Sequence, residues 1–191
     1  MGVVPPDEEP RHGRGPVPRR REELVGVGGG VSASAMSLAQ AFGAEVYVTS
    51  RSQEKIDWAV ENGAIAGFDS SGEFGKEMAG VGGADLVIDS VGAATLKQSM
   101  RAAKAGGRIA ICGGTSGAKF ELTLPILFFR QLELVGSSMG THAQFARALN
   151  WIRLGKASSP VAKVFPFSEL PDALRYLDSG EQLGKVVLAH D

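Results

Sequence analysis

The chain has 191 residues, with 20 Lys and Arg against 21 Asp and Glu, for a formal charge of -1. That length fits one domain able to bury about 70% of the surface its unfolded chain exposes, so no covalent staple is required. The single cysteine, Cys112, excludes an internal disulfide framework and a Cys-rich zinc module, and the near balance of charge argues against electrostatic capture of nucleic acid or of an anionic membrane.

A small ligand is therefore expected. Glycine is abundant, at 26 residues, about twice the usual share of ~7%, and its scatter without a collagen period implies many tight turns. No apolar run reaches the ~18 residues of a spanning helix, and the N-terminus lacks the apolar centre of a secretory signal. A cytoplasmic protein is the expectation.

In chain order, residues 1–22 hold five of the nine prolines and five arginines, with Met1, Val3, Val4 and Val17 as the apolar residues. Too little apolar surface offsets the cost of ordering, so this stretch reads as a disordered or extended tail. Arg19, Arg20 and Arg21 are expected to be solvated, a basic docking arm being the alternative. Asp7, Glu8, Glu9 and Glu22 cancel most of their charge.

Residues 23–191 change character: short β-branched runs alternate with amphipathic segments. Strands are expected at Leu24–Val27, Glu45–Thr49, Ile65–Phe68, Asp85–Asp89, Arg108–Cys112 and Leu132–Val135. Between them, helical faces are read at Val31, Ala35, Leu38 and Phe42, at Ile56, Ala59 and Val60, and at Leu96, Met100 and Ala103, ending at Gly43, Gly63 and Gly106. Ser50 to Gln53 and Thr141 to Gln144 both fit capping boxes. A helix from about Ala143 to Leu154, a strand near Ala162–Phe165, a helix after Ser168 and the strand Lys185–Leu188 complete the series. The inner strands are too continuously apolar for a half-exposed sheet, which predicts a doubly wound, mostly parallel α/β sheet of Rossmann type, helices on both faces, with the last strands closing it.

Such sheets bind ligands beyond the carboxyl ends of their strands. The first exit loop, Gly26-Val27-Gly28-Gly29-Gly30-Val31-Ser32, opens a helix; bare peptide N–H groups there suit a diphosphate, although a tight turn alone could explain the glycines. Gly26, Gly29 and the small Ser32 form the best register. The second loop, Thr49-Ser50-Arg51, carries no acid for a ribose. Ser50 and Arg51, with Lys55, suit a 2′-phosphate, so NADP(H) is favoured over NAD(H), against the alternative of an arginine on a solvated loop. Ser90, Val91 and Gly92 after the fourth strand and Gly113 after the fifth could line a nicotinamide, or serve only to turn the chain. Asp89 reads as structural, and Cys112 as a small core residue. A methyltransferase using S-adenosylmethionine would want an acid where Ser50 and Arg51 stand.

The segments VGVGGGVSASAMSLAQAFGAEVYVTSRSQEKIDWAVENGA, ADLVIDSVG, AGGRIAICGGTSG, LELVGSSMGT and EQLGKVVL together resemble the cofactor-binding domain of the medium-chain dehydrogenase/reductases, the zinc alcohol dehydrogenase and quinone oxidoreductase family. The resemblance implies contact of Gly29, Gly30 and Val31 with the pyrophosphate, hydride transfer between NADPH and a carbonyl, enone or alcohol, and a homodimer through the edge strand Leu132–Val135. It also implies a preceding catalytic domain of GroES-like fold, which supplies most zinc ligands in zinc-dependent members. Here only residues 1–22 precede the match, and Cys112, His12, His142 and His190 have no ligand spacing. No zinc and no activity by the chain alone are therefore expected. A non-catalytic dinucleotide-binding module or sensor is the alternative function, and a truncated or misassigned reading frame the expected origin, since charges fill the place of an apolar first strand.

Overall fold

The computed structural model describes residues 20–190, so the expected tail lies almost wholly outside the described residues. Six parallel strands form the main sheet in the order β3-β2-β1-β4-β5-β6: β1 Arg21–Val25, β2 Glu45–Ser50, β3 Ala66–Asp69, β4 Ala84–Asp89, β5 Ala103–Ile111 and β6 Glu133–Gly136. Helices α1 (Gly30–Ala41) and α2 (Gln53–Glu61) bury Ala35, Met36, Ala39 and Ala59 against Val46 and Val48 on one face. On the other face, α3 (Phe74–Gly80) and α4 (Leu96–Ala102) bury Phe74, Met78, Leu96 and Met100 against Tyr47, Val87 and Ile109. The fold is the expected doubly wound sheet.

The closing strands depart from expectation. β7 (Val161–Pro166) and β8 (Lys185–Ala189) do not extend the main sheet; they pair with each other, in parallel, as a separate two-stranded sheet. Their crossover passes through α7 (Leu170–Ser179), which buries Ala173 and brings Tyr176 to 6.0 Å from the Phe165 ring, so the unit covers one of its own faces. The Gly184 N–H donates to the Gly28 carbonyl at 3.1 Å, which sets the unit over the carboxyl end of the main sheet rather than beside β6.

Several local expectations shift. α1 buries Ser32, Ala33, Ala35, Met36 and Ala39, while Val31 and Phe42 are exposed, because small residues allow the helix to pack close to the sheet. Val60 is likewise exposed on α2. Ser50 still pairs with Asp69 as the last residue of β2, so the cap of α2 falls on Ser52, which accepts from the Lys55 N–H. The Thr141 capping box forms as read and starts α6 (His142–Arg153). α4 ends before Gly106, as Ala103 already pairs with Ala84. Two short helices, α3 and α5 (Leu124–Phe129), were not expected: α3 holds two poor helix formers, Gly75 and Gly80, and exists because Phe74 and Met78 become fully buried.

The first strand begins at Arg21, ahead of the expected boundary at Glu23, and sits at the centre of the sheet. Arg21, at its amino end, is satisfied locally. The Arg21 N–H donates to Asp85 at 2.9 Å, and its guanidinium reaches Glu45 at 3.2 Å and the Val81 carbonyl at 2.6 Å. Lys104 pairs with the same Asp85. Among the described residues no helix is long and apolar enough to cross a membrane.

Candidate functional site

The loops after β1, β2, β4 and β5 meet at one edge of the sheet, where the strand order reverses between β1 and β4. The glycine loop is tied to β2 by the Gly26 and Val27 N–H groups, which donate to the Thr49 carbonyl at 3.2 and 2.8 Å. Gly26 (φ +83°) and Gly28 (φ +110°) adopt backbone conformations that L side chains avoid. Gly26 also lies against the loop after β4, since a Cβ there would stand 3.1 Å from Val91 Cγ2 and 3.8 Å from Ser90 Oγ.

Gly29 is different. It caps α1 with an ordinary φ of -74°, and a Cβ on it would meet nothing within 4 Å. Neither backbone geometry nor packing requires glycine at that position. Ser32, three residues on, is buried against the sheet, as the third position of the register demands.

Two lysines reach this loop. Lys55, from α2, lies over Gly28, where a Cβ would sit 2.6 Å from its Cδ, and its amine donates to the Gly180 carbonyl. Lys185, at the start of β8, lies over Gly30, where a Cβ would be 2.7 Å from its Cδ. The start of a twelve-residue helix, with its positive dipole end, is thus flanked by two ammonium groups. Lys55 joins the glycine loop through its long stem. Lys185 was not singled out in the sequence; it stands in EQLGKVVL, 155 positions from Gly30, and only the crossover through α7 brings the two together.

At the end of β2, Ser50 is buried and its hydroxyl accepts from the Ser52 N–H at 3.2 Å, while Arg51 is exposed. At the end of β4, Asp89 is fully buried; Oδ1 accepts from the Val91 and Gly92 N–H groups, both at 2.9 Å, and Oδ2 from the Ser99 hydroxyl at 2.7 Å. The Thr95 hydroxyl lies 3.0 and 2.9 Å from the two oxygens. The β5 exit packs against this loop backbone to backbone: a Cβ on Gly113 would lie 3.1 Å from the Ser90 carbonyl carbon, and one on Gly92 would lie 2.8 Å from Gly114 Cα. Burial, then the nearby Asp89 charge, pushes the Cys112 thiol upward, and Cys112 is only partly buried at the end of β5 rather than in the core, where the sequence placed it.

A family model described as zinc-binding dehydrogenase matches residues 30–153. The chain belongs to the zinc-binding dehydrogenases. It is 28% identical over 175 residues to an acryloyl-coenzyme A reductase of Sulfurisphaera tokodaii, covering 88% of this chain and 51% of that protein. It is 33% identical over 172 residues to a zinc-type alcohol dehydrogenase-like protein of Schizosaccharomyces pombe, covering 85% and 50%. A crystal structure of an NAD-dependent alcohol dehydrogenase superposes with a TM-score of 0.81 at 32% identity, covering 90% of this chain and 51% of that one. The chain therefore spans about half the length of these zinc-binding dehydrogenases.

The family's name implies a metal, but the described residues do not assemble a donor set for one. Among the described residues no group of three or more His, Cys, Asp or Glu could hold a metal ion. The Cys112 thiol instead contacts the Asp89 carbonyl oxygen at 3.6 Å.

Proposed function

We propose that the chain is the nicotinamide-dinucleotide-binding half of an oxidoreductase, with NADP(H) taken in preference to NAD(H). The observation that carries this reading is the start of α1: its cap Gly29 leaves open space where a side chain would stand, Lys55 and Lys185 flank it, and a closely approaching diphosphate would fill that space. In this reading Gly26, Gly29, Gly30 and Val31 line the diphosphate path, Lys55 and Lys185 neutralise its charge, and Ser90, Val91 and Gly113 border the nicotinamide end.

The preference for NADP(H) rests on the end of β2, where Ser50 and Arg51 occupy the place at which an acid would hold a ribose and repel a 2′-phosphate. A charge-assisted bond from Arg51, at roughly 1.5–3 kcal/mol, would favour NADPH by about ten- to a hundredfold. That the solved relative is named NAD-dependent makes this a property to be tested on this chain's own residues.

The nicotinamide supplies hydride chemistry when bound; the chain's own part is to bind the dinucleotide and fix its orientation. Substrate binding and stabilisation of oxygen charge fall to a second half, so the chain alone is a binding module, working in the cytoplasm. Among the described residues β6 is an edge strand, and with the exposed Phe128, Phe129 and Val135 beside it that edge suits a homodimer. Calorimetric titration with NADPH, NADH and S-adenosylmethionine tests the reading: NADPH should bind tightest and S-adenosylmethionine not at all. Absence of binding by either nicotinamide nucleotide would overturn it, and NADPH oxidation with an aldehyde or quinone by the chain alone would overturn the module reading.

A further inference from the structure

Asp89 is a fully buried carboxylate whose described donors are all neutral: two backbone N–H groups and two hydroxyls. Burying a charge without a cation costs heavily unless its lone pairs are filled, and an apolar side chain of similar size would pack the strand end as well or better. What a carboxylate does that leucine cannot is gather successive N–H groups of the following loop onto one atom. Oδ1 takes both the Val91 and the Gly92 N–H, and the chain curls around it with Gly92 at a φ of +89°. The other oxygen is anchored into α4 through Ser99, with Thr95 bridging both. From the β5 side, the Ser116 N–H and hydroxyl hold the Val91 carbonyl at 3.0 and 2.7 Å.

The segment fixed in this way, Ser90 and Val91, faces Gly26 across the crevice between β1 and β4. Ser50 and Arg51 stand on the other side of β1, at the end of β2. A dinucleotide lying across the crevice has its adenosine on the β2 side and its nicotinamide on the β4 side. We infer that Asp89 is a positioning residue for the nicotinamide end of the dinucleotide, acting by holding the Ser90–Val91 backbone against Gly26 through Val91 and Gly92. This deepens the dinucleotide-binding reading and rests on it.

The test uses two ligands that share the adenosine end: NADPH, and adenosine 2′,5′-bisphosphate, which lacks the nicotinamide half. In Asp89→Leu/Thr95→Val/Ser99→Ala the carboxylate and its hydroxyl donors are replaced together, leaving no hydroxyl unpaired in the site. This variant should bind NADPH at least tenfold more weakly and the bisphosphate within twofold of the parent. Thr95→Val, similar in shape and less disruptive, should show the same split at about threefold, and serves if the triple variant fails to fold. Asp89→Asn should restore NADPH affinity to within about threefold, since its carbonyl can still take both N–H groups while the hydroxyls turn to accept from its amide.

Unchanged NADPH affinity in the folded triple variant or in Thr95→Val, equal weakening of both ligands, or a loss in Asp89→Asn as large as in the triple variant would overturn the inference. Failure of the parent chain to bind either ligand would instead overturn the dinucleotide reading on which it rests.

Discussion

Lys185 and Gly30, at the first residues of the last strand and of the first helix, are in direct contact: the lysine stem lies where a Gly30 side chain would be, 2.7 Å from its Cδ. The closing turn thereby delivers a cation to the helix start that the sheet alone would not provide. Lys185→Ala should weaken NADPH binding about tenfold, the smaller value for one charge-assisted bond. The difference should shrink as salt is raised. Lys185 is exposed, so the thermal midpoint should move by less than about 2 °C. Fluorescence titration at two ionic strengths with a melting curve checks both; a large fall in midpoint with unchanged affinity would make Lys185 a structural residue.

Two glycines of the same site make a matched pair. Gly29 has open space and a negative φ, so Gly29→Ala should cost the fold about 1 kcal/mol or less, the usual difference at a helix cap, while reducing NADPH affinity more than tenfold. Gly113 has the backbone of Ser90 in its way, with the Cα 3.3 Å from a would-be Cβ, so Gly113→Ala should lower stability by about 1–3 kcal/mol as the two loops are forced apart. Urea unfolding and NADPH titration on both variants separate the effects. Equal losses of affinity and stability in Gly29→Ala would remove the argument for a ligand at that glycine.

The contrast explains what could be read before the fold was seen. The alternation of apolar runs and helical faces located all six strands of the main sheet, but not the charged start of β1 at Arg21 or the early start of β5 at Ala103, which carry no apolar run. The glycine loop was legible because its residue types are extreme. Three things were not. The face of α1 was misplaced because alanine and serine, not valine and phenylalanine, pack closest to the sheet. β7 and β8 look like any strands of the main sheet, and their separate pairing depends on a contact between Gly184 and Gly28, far apart in the chain. Lys185 carries no local mark that distinguishes it from a solvated lysine.

Arg51 stands exposed at the end of β2, free of the packing duties that constrain Ser50 beside it. Arg51→Asp should therefore leave the fold intact and act on the ligand alone. The expected result is at least a tenfold loss for NADPH with NADH affinity unchanged or improved, because the new carboxylate repels a 2′-phosphate and accepts from ribose hydroxyls. Parallel titrations with the two nucleotides measure this directly. Equal losses would indicate that the change disturbs the loop rather than a phosphate contact.

The central strand carries its own signature in pH. Burial, partly offset by Arg20 and reinforced by Asp85, holds the Glu22 carboxyl above the usual range, so the folded chain binds that proton more tightly than the unfolded one does. Its contribution to stability is complete below the unfolded value, near 4.3, and is lost as pH rises through the folded value. Asp85 runs the other way: burial would raise it, but hydrogen bonds from the Arg21 N–H and from Lys104, with the charges of Lys104 and Arg20, hold it low, so its contribution exists above its unfolded value and fades in acid. Glu22→Gln removes the first effect and leaves the second. At pH 7 the variant should melt above the parent, and the gap should close as pH falls to about 4.5. Melting curves from pH 4.5 to 8 give the answer; a gap that does not change with pH would mean that the Glu22 carboxylate is as well accommodated between β2 and β4 as it is in water.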